Sequence, residues 1–473
     1  MKKTEIIGRE AESKRLLTLY KSTKSEFITV YGRRRVGKTF LIKQYFEGKF
    51  TFETSGIIDG SKELQFYTFF NSLQKYGFEG NPPKNWLEAF DDLAQLIEKS
   101  TQKRKVIFLD EIPCFDIPKT NFVKALGYFW NSFAADRRDV LLIVCGSATS
   151  WIVGNIIDNH GGLHNRTTGN IYLQQFSLAE TEKFLKFKHI QWPRKMIAEA
   201  YMVFGGIPYY LNLFDKQKTL AANIDNLYFS PSGELHREYR QLYNSLFRNP
   251  EPYMKIIEIL AKSKSGLSRA DIATATKLPQ NGKLTKMLED LEHSNLIRCF
   301  YGKSRGKVKK RDAYYQLIDL FTLFHLTFSQ KAHNKTFWQD RQKTSVLNTW
   351  NGLAYERVCL WHIDQIRNAL GLSRVAVEYY SWRSRTSVPN AQIDLIIERA
   401  DKIVNICEIK FADGPYTITK EDDMAMRNRI ESFRAESDTN CDPIPVWITT
   451  FGLKENPYSA DVQYEVKMED LFE

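Results

Sequence analysis

Several features that define whole classes of proteins are missing from this chain. Its six cysteines form no C-x-x-C pair and its eight histidines show no H-E-x-x-H spacing, which argues against a disulfide framework and against a zinc module. The amino-terminal residues contain no apolar core of the kind that a signal peptide needs. The richest apolar run, 317–328, is interrupted by Asp319 and is too short to span a bilayer. We therefore expect a cytoplasmic protein with reduced thiols that does not enter a membrane.

The composition is typical of a folded protein with more than one domain. Of its 473 residues, 43% are hydrophobic and 26% are charged, and a single hydrophobic core stops growing well below this length. The net charge is +11. Residues 253–341 hold 17 lysines and arginines against 8 acidic residues, a pattern typical of nucleic-acid binding. A solvated charged face is the alternative interpretation.

The most specific motif is a phosphate-binding loop at 32–39. It fits the pattern G-x-x-x-x-G-K-[ST], follows a strand-like run at 27–31 and precedes a helix-like run at 40–46. In this context backbone N–H groups and the helix N-terminus cradle phosphates, Lys38 reaches the β- and γ-phosphates, and Thr39 can ligate Mg²⁺. The alternative is a chance match on a turn that contains glycine. The predicted nucleotide-binding residues of the loop are Gly32, Arg33, Arg34, Arg35, Val36, Gly37, Lys38 and Thr39.

Two further apolar runs end in polar residues. The run 105–109 is followed by Asp110 and Glu111, and ligands bind at the carboxyl ends of strands in open parallel sheets. We predict that Asp110 holds Mg²⁺ through water and that Glu111 orients or deprotonates the attacking water, unless the strand simply runs into an acidic turn. Ser147 follows the next run and is a predicted sensor of the γ-phosphate or of the lytic water, although a serine there is also typical of a helix cap. Arg166 is a candidate arginine finger or sensor and, equally, one surface arginine of a loop.

From about residue 252 the pattern changes to three short helices followed by two strands. Helices are predicted at 253–261, 268–275 and 281–294, and strands at 297–301 and 313–318. Three helices and a basic hairpin make a winged helix, whose third helix enters the major groove, although many such domains mediate only protein contacts. The cations expected to meet nucleic acid are Lys283 and Lys286 on the third helix and Lys303, Arg305, Lys307, Lys309, Lys310 and Arg311 on the hairpin.

The C-terminal third carries two carboxylates and a lysine on predicted strands. A tight hairpin would bring Asp394 beside the strand 404–410, on which Glu408 and Lys410 share one face. Such a set suits metal-assisted phosphodiester hydrolysis, in which Asp394 and Glu408 hold Mg²⁺ and Lys410 positions the attacking water. Glu356 of a preceding helix adds a ligand or orients the lysine, and an exposed pair of Glu408 and Lys410 is the alternative. The other elements predicted here are helices at 351–370 and 420–436 and strands at 375–382, 393–397 and 446–450.

The first half of the chain resembles the archaeal-type ATPases, a branch of the P-loop superfamily that is related to AAA+ and STAND ATPases. The resemblance implies ATP and Mg²⁺ as cofactors. It also implies a place near the nucleotide for Gly8 and Arg9, before a helix that either walls the adenine pocket or simply packs on the core. Such ATPases often need a neighbour's arginine, which implies a homo-oligomer. The resemblance rests on Y-G-R-R-R-V-G-K-T at 31–39, G-R-E-A-E at 8–12, F-L-D-E at 108–111 and C-G-S at 145–147.

The rest of the chain continues the resemblance. Gly-Gly-Ile-Pro at 205–208 is similar to that branch's G-x-P element and implies a helical lid coupled to the nucleotide state. D-x(13)-E-x-K, from Asp394 to Lys410, resembles the PD-(D/E)xK nuclease core that is commonly fused to these ATPases. Two positions depart from the family pattern: His325 stands where tryptophan is common, and Gln392 where glutamate is common, which removes one carboxylate from the nuclease site.

The predicted fold class is α/β, with a P-loop parallel sheet and helical lid, a winged helix and a small α/β restriction-nuclease-like domain. We expect an ATP-hydrolysing switch that acts on nucleic acid, most simply DNA, through residues 253–341, with a metal-dependent C-terminal nuclease. One alternative is an ATP-dependent regulator or scaffold whose nuclease-like domain is inactive, and another is a DNA-translocating motor. The predicted domain boundaries are 1–178 for the ATPase core, 179–250 for the lid, 251–320 for the winged helix and 321–473 for the nuclease-like domain.

Overall fold

The computed structural model describes residues 5–304, 307–329, 336–341, 344–384, 391–437, 439–460 and 462–473. The chain folds into two units. The first comprises the residues up to 175 together with 241–250, and the second comprises 176–240 together with 251–473.

A parallel five-stranded sheet forms the centre of the first unit. Its strands are β1 (Glu26–Tyr31), β2 (Phe50–Ser55), β3 (Lys105–Asp110), β4 (Val140–Gly146) and β5 (Gly169–Tyr172). The strand order is β2-β3-β4-β1-β5, and each neighbouring pair is parallel. Every residue of β3 and β4 is buried, as expected for apolar strands of a sheet that is covered on both faces. The α/β class predicted from the sequence is confirmed.

Six helices accompany this sheet. They are α1 (Glu10–Tyr20), α2 (Lys38–Tyr45), α3 (Lys62–Lys75), α4 (Trp86–Lys99), α5 (Phe122–Phe129) and α6 (Thr149–Ile152). Side-chain caps fix the starts of two of them, since Ser61 accepts a hydrogen bond from the Leu64 N–H and Asn85 accepts from Leu87 and Glu88. Between α3, α4 and α5 lies an aromatic core around the buried Trp86, whose ring lies 4.9 Å from that of Phe122.

The strand order decides which loops meet at the carboxyl edge of this sheet. The loop after β1 leads into α2, the loop after β3 begins at Glu111, and the loop after β4 begins at Ser147. Because β4 lies between β1 and β3, Ser147 emerges between the phosphate-binding loop and Glu111.

Five helices follow the first sheet along the chain. They are α7 (Leu178–Phe187), α8 (Arg194–Phe204), α9 (Pro208–Asn212), α10 (Leu220–Ile224) and α11 (Glu238–Leu246). Helices α7 to α10 belong to the second unit, and α11 starts in the second unit and ends in the first. The segment 205–208 breaks the chain between α8 and α9, and there the Phe176 N–H donates to the Gly206 carbonyl at 2.6 Å. The predicted lid helices therefore fold with the C-terminal part of the chain.

The segment between residues 251 and 317 contains α12 (Glu251–Lys262), β6 (Leu267–Ser268), α13 (Arg269–Thr276), α14 (Gly282–His293), β7 (Ile297–Ser304) and β8 (Lys307–Leu317). The three helices, β7 and β8 were predicted, whereas the two-residue strand β6 was not. The three strands form an antiparallel sheet of order β6-β8-β7. Of the predicted nucleic-acid contacts on the hairpin, Arg305 lies outside the described residues, and so do the side chains of Lys303, Lys307, Lys309, Lys310 and Arg311.

A second five-stranded sheet, of mixed direction, forms the C-terminal part. Its strands are β9 (Val377–Arg383), β10 (Gln392–Arg399), β11 (Ile403–Lys410), β12 (Asp442–Thr449) and β13 (Tyr464–Lys467). The order is β13-β12-β11-β10-β9, with antiparallel pairs from β9 to β11 and parallel pairs from β11 to β13. The accompanying helices are α15 (Leu320–Phe328), α16 (Ser345–Trp361), α17 (Ile363–Ala369) and α18 (Lys420–Ser437).

The single long helix predicted at 351–370 is wrong, because the chain breaks at His362 between α16 and α17. The His362 ring is buried. It accepts a hydrogen bond from the Leu178 N–H through Nε2 at 2.9 Å, while its Nδ1 donates to the Val358 carbonyl at 2.8 Å. Burial lowers the pKa of His362 to about 4, so the ring is neutral and can serve as an acceptor at the break.

The expectations about the cysteine thiols and about membrane spanning can be compared with the structure. All six cysteines are free thiols, as predicted. Within the described residues, no helix combines the length and the apolar character that crossing a bilayer would take.

Candidate functional site

The phosphate-binding loop has a backbone that few residues other than glycine could adopt at its start. Gly32 has a φ of 146°, and a Cβ atom there would lie 2.2 Å from the Leu173 carbonyl oxygen of the segment after β5. Arg35 and Gly37 also have positive φ values, 72° and 93°. The loop therefore curls back between β1 and α2, and α2 begins at Lys38.

Lys38 lies inside this loop. Its Nζ donates to the carbonyl oxygens of Gly32 and Arg33 at 2.9 Å each, and the side chain is buried. Burial lowers the pKa of Lys38, and Cys145, Glu111 and Asp110 oppose that shift. A buried ammonium that donates to backbone carbonyls can exchange these hydrogen bonds for stronger, charge-assisted ones to phosphate oxygens.

Thr39 and Asp110 supply adjacent oxygen atoms. The Thr39 hydroxyl donates to Asp110 Oδ2 at 2.8 Å, and the Glu111 N–H donates to Asp110 Oδ1 at 3.0 Å. A hydroxyl beside a carboxylate is the hard-oxygen donor set that Mg²⁺ prefers, with the remaining positions left to water and substrate phosphates. The two residues predicted to hold Mg²⁺ therefore lie together and fit the ion.

Ser147 contacts Glu111 in this structure. The Ser147 hydroxyl lies 3.1 Å from both carboxylate oxygens of Glu111, and the Ser147 N–H donates to Oε2 at 3.3 Å. Glu111 itself has a left-handed φ of 43°, a conformation that costs energy in a non-glycine residue and is typical of functional sites. The residue directly after β4 thus fixes the position of the Glu111 carboxylate, a pairing that the sequence spacing did not indicate.

Arg9 is hydrogen-bonded to the phosphate-binding loop. One of its terminal guanidinium nitrogens, Nη2, donates to the Val36 carbonyl at 3.2 Å and to the Gln174 carbonyl at 2.6 Å, and the side chain is buried. Gly8 and Arg9 both have left-handed backbones, with φ values of 67° and 66°. The contacts of Arg9 thus join the loop to the segment after β5.

The structure does not bring Arg166 to this site. Its side chain is exposed and it precedes β5, whose first residue, Gly169, pairs with Ile28 of β1. Thr168 likewise lies beside Phe27. Because β5 is parallel to β1, Arg166 lies at the amino edge of the sheet, whereas the phosphate-binding loop lies at the carboxyl edge. A sensor role for Arg166 within its own chain is therefore wrong, and the interpretation as a loop arginine fits.

Comparison with known proteins identifies the first part of the chain. Residues 6–214 match the family model described as an ATPase domain predominantly from Archaea. This part of the chain is similar to an archaeal-type ATPase domain. An uncharacterized protein of Methanocaldococcus jannaschii is 23% identical to this chain over 424 residues, which are 86% of this chain and 88% of that protein.

Solved structures similar to this chain include two archaeal proteins. The Walker-type ATPase of Pyrococcus abyssi is 19% identical with a TM-score of 0.46, and the match covers 68% of this chain and 96% of that one. The ORC2 protein of Aeropyrum pernix, in ADPNP–ADP complexes, is 13% identical with a TM-score of 0.42 over 70% of this chain and 96% of that one.

Within the ATPase domain, the predicted residues Lys38, Thr39, Asp110, Glu111 and Ser147 meet at one edge of the sheet.

The C-terminal sheet brings the second predicted set together. In the antiparallel register of β10 and β11, Leu395 pairs with Cys407. One residue back along β10 and one residue forward along β11, Asp394 therefore lies opposite Glu408. Lys410 follows on the same face of β11 because side chains alternate along a strand. Two carboxylates are enough for a Mg²⁺ site that is completed by water and substrate, although no group of three or more His, Cys, Asp or Glu suited to a metal occurs in the described part of the chain.

Helix α18 contributes two residues that the sequence analysis missed. Arg429 lies 2.9 Å from Glu408, and Asp422 lies 3.2 Å from Lys410, which in turn lies 3.1 Å from Glu408. Burial alone would lower the pKa of Lys410, but Glu408, Tyr416 and Asp422 outweigh burial and raise it. The helix was predicted, but nothing in its spacing related it to β11.

Glu356 lies in a buried charged network beside Asp394. It contacts the Arg357 guanidinium, and burial raises the pKa of Glu356 to about 7, an effect that Arg357 opposes and Asp394 increases. The half-buried Arg298 of β7 reaches the same place, where its Nη2 donates to the Ser381 hydroxyl at 3.0 Å and to the Asp394 carbonyl at 3.4 Å. Gln392, two residues before it on β10, donates to Asp394 Oδ1 at 2.6 Å.

Proposed function

We propose that this protein is an ATP-hydrolysing switch that acts on nucleic acid. The observation that carries the proposal is the convergence of Lys38, Thr39, Asp110, Glu111 and Ser147 at the carboxyl edge of the first sheet. A buried cation for phosphates, a hydroxyl–carboxylate pair for Mg²⁺ and a positioned carboxylate for water are the parts that phosphoryl transfer to water needs.

Each residue has a role that follows from its place. Lys38 and the loop N–H groups hold the β- and γ-phosphates, and Thr39 and Asp110 hold Mg²⁺, which supplies charge neutralisation of the phosphates when it is bound. Glu111 orients the attacking water and accepts its proton. Ser147 holds the Glu111 carboxylate in place, and a γ-phosphate that competes for the Ser147 hydroxyl would release Glu111 toward water. The same proposal couples the lid helices to the nucleotide state. It also includes a homo-oligomer in which a neighbouring copy supplies an arginine to the site.

The nucleic-acid part of the proposal rests on the three helices and the antiparallel hairpin between 251 and 317 and on the positive charge of 253–341. Lys286 on α14 is exposed, so its ammonium is accessible to phosphate, which would compete with Asp290 at 3.3 Å. A winged helix would place α14 against nucleic acid and the hairpin against the backbone.

The triple variant Lys307→Ala/Lys309→Ala/Lys310→Ala is expected to bind duplex DNA at least tenfold more weakly at 0.1 M salt. Because the variant makes fewer phosphate contacts, its binding releases fewer counterions. The slope of log affinity against log salt should therefore become shallower by about 2–3. Fluorescence anisotropy with labelled DNA and RNA at several salt concentrations measures both quantities. The matched control is Lys75→Ala/Lys99→Ala/Lys103→Ala, which removes three exposed lysines from the ATPase domain, and equal losses in both variants would contradict the proposed interface.

A metal-dependent nuclease is the second candidate function. The observation that favours it is the shared face of Asp394, Glu408 and Lys410 on paired strands. When bound between the carboxylates, Mg²⁺ would supply Lewis-acid polarisation of a phosphodiester. Against it stands the charge balance of the site, since Lys410 and Arg429 already neutralise Glu408. A catalytically inactive binding module is therefore the competing interpretation.

Lys410→Ala is expected to abolish cleavage of nucleic acid in the presence of Mg²⁺ or Mn²⁺. The reason is that Lys410 is the cation closest to Glu408 on its strand, where it would position the attacking water. Gel assays of single- and double-stranded DNA and RNA with each metal measure the effect. Lys420→Ala, which removes an exposed lysine at the start of α18, is the control. If wild-type protein cuts nothing with either metal while nucleic-acid binding persists, the C-terminal sheet is a binding module.

A further inference from the structure

An open groove of about 460 Å³ lies beside the catalytic segment of the ATPase domain and belongs to none of the motifs above. Its volume is that of a small-molecule site. The basic groove, as we name it, is lined chiefly by Asp116, Lys119, Lys124, Trp151, Asn155 and Arg248.

The charges around the basic groove are unbalanced. Lys119, Lys124 and Arg248 are exposed, and within the described ranges none of them forms an ion pair with a carboxylate. The one carboxylate of the lining, Asp116, accepts a hydrogen bond from the Trp151 indole at 3.1 Å. Three cations against one carboxylate on a concave surface give a net positive potential there, which favours an anionic ligand.

The backbone of the groove is held in costly conformations. Lys119 and Asn121 have left-handed φ values of 70° and 57°, just before α5 begins at Phe122. Arg248 fixes the wall by donating to the Asp116 carbonyl at 3.3 Å. Non-glycine residues in this region persist only where the surroundings fix them, and they are frequent at binding sites.

The lining also contains a half-buried indole, which narrows the chemistry of the ligand. Nucleobases stack on indole rings, and lysine and arginine side chains bind phosphates. A phosphate-bearing nucleotide unit combines both features and matches the groove in size. We propose that the basic groove binds such a unit, supplied either as a free nucleotide or as part of a nucleic-acid strand, and that the occupant regulates ATP hydrolysis.

The regulatory part follows from what lies behind the groove. Asp116, five residues after Glu111, lines one wall, and Trp151 of α6, four residues after Ser147, lines another. Pro113 packs so closely on the end of β4 that a Cβ on Gly146 would lie 2.7 Å from the proline ring. Because Ser147 holds Glu111, a ligand that shifts either wall changes the position of the catalytic carboxylate. This part rests on the proposed function, whereas binding itself does not.

Titration of intrinsic tryptophan fluorescence tests the site directly. The probes are uridine monophosphate, an eight-residue oligothymidylate and inorganic phosphate, added to full-length wild type, Trp151→Phe, Lys119→Ala/Lys124→Ala and the control Lys75→Ala/Lys99→Ala. Both nucleotide probes should quench the wild type and the control but not Trp151→Phe, which assigns the signal. The groove variant should bind at least tenfold more weakly, and its salt slope for the oligonucleotide should be smaller by about 1.4.

The outcomes distinguish a nucleic-acid strand from a free nucleotide as the ligand. They also distinguish failure of this inference from failure of the proposed function. Tighter binding of the oligonucleotide than of the monophosphate indicates a strand, and equal binding indicates a free nucleotide. Inorganic phosphate that binds as well as either probe, unchanged affinity in the groove variant, or no quenching in the wild type would overturn the inference. A bound probe should change the rate of ATP hydrolysis at least threefold in wild type and not in the groove variant. If no ATP is hydrolysed at all, the proposed function fails, while the fluorescence titration still decides whether the groove binds.

Discussion

Glu111→Gln is expected to lower the rate of ATP hydrolysis by about 10²–10⁴-fold, the usual loss when a positioned general base is removed. The amide keeps the shape of the side chain and can still accept a hydrogen bond from the Ser147 hydroxyl, so the site should remain folded. It cannot accept the proton of the attacking water. ATP affinity should therefore stay within about threefold of wild type, because the contacts to phosphate come from other residues.

Phosphate release at saturating Mg-ATP measures the rate, and binding of a fluorescent ATP analogue measures the affinity. Glu98→Gln, which changes an exposed glutamate on α4 in the same way, should leave both unchanged. Hydrolysis that survives in Glu111→Gln would remove Glu111 from the catalytic role and would leave Asp110 as the carboxylate to test next.

Lys38→Ala is expected to weaken ATP binding at least tenfold and to lower hydrolysis by about 10²–10³-fold, the range seen when one donor to transition-state charge is lost. Lys38 donates to two carbonyls of its own loop. Removing it leaves those buried acceptors unsatisfied, at a cost of about 1–3 kcal/mol in the free energy of unfolding. Both binding and loop order should therefore suffer.

Lys43→Ala is the matched control, because Lys43 lies on the same helix but is half exposed and pairs with Glu53 at 3.5 Å. Isothermal titration with ATP gives the affinity, and thermal unfolding without nucleotide gives the loss of stability. ATP should raise the unfolding temperature of wild type and of Lys43→Ala but not of Lys38→Ala. Equal stabilisation of all three proteins by ATP would show that the nucleotide binds elsewhere.

Local sequence patterns predicted the secondary structure of this chain well where several signals agreed within one segment. The apolar run that ends in Asp110 and Glu111 is β3, and the run before Ser147 is β4. The helix predicted at 40–46 is α2, which begins two residues earlier, at Lys38. These features are local, because burial and turn chemistry act on neighbouring residues. The break at His362 was missed because it depends on a hydrogen bond from Leu178, which lies 184 residues away in the sequence.

The candidate sites divide in the same way. The sequence by itself determined the residue types that a phosphate-binding loop and a Mg²⁺ site need, and it proposed Asp394, Glu408 and Lys410 from strand periodicity. Only the tertiary structure decided that Ser147 holds Glu111, that Arg166 lies at the opposite edge of the sheet, and that Arg429 of α18 neutralises Glu408. The physical reason is that strand order and helix docking are set by packing among residues distant in sequence. Spacing along the chain records how a segment folds, but not which segment will lie beside it.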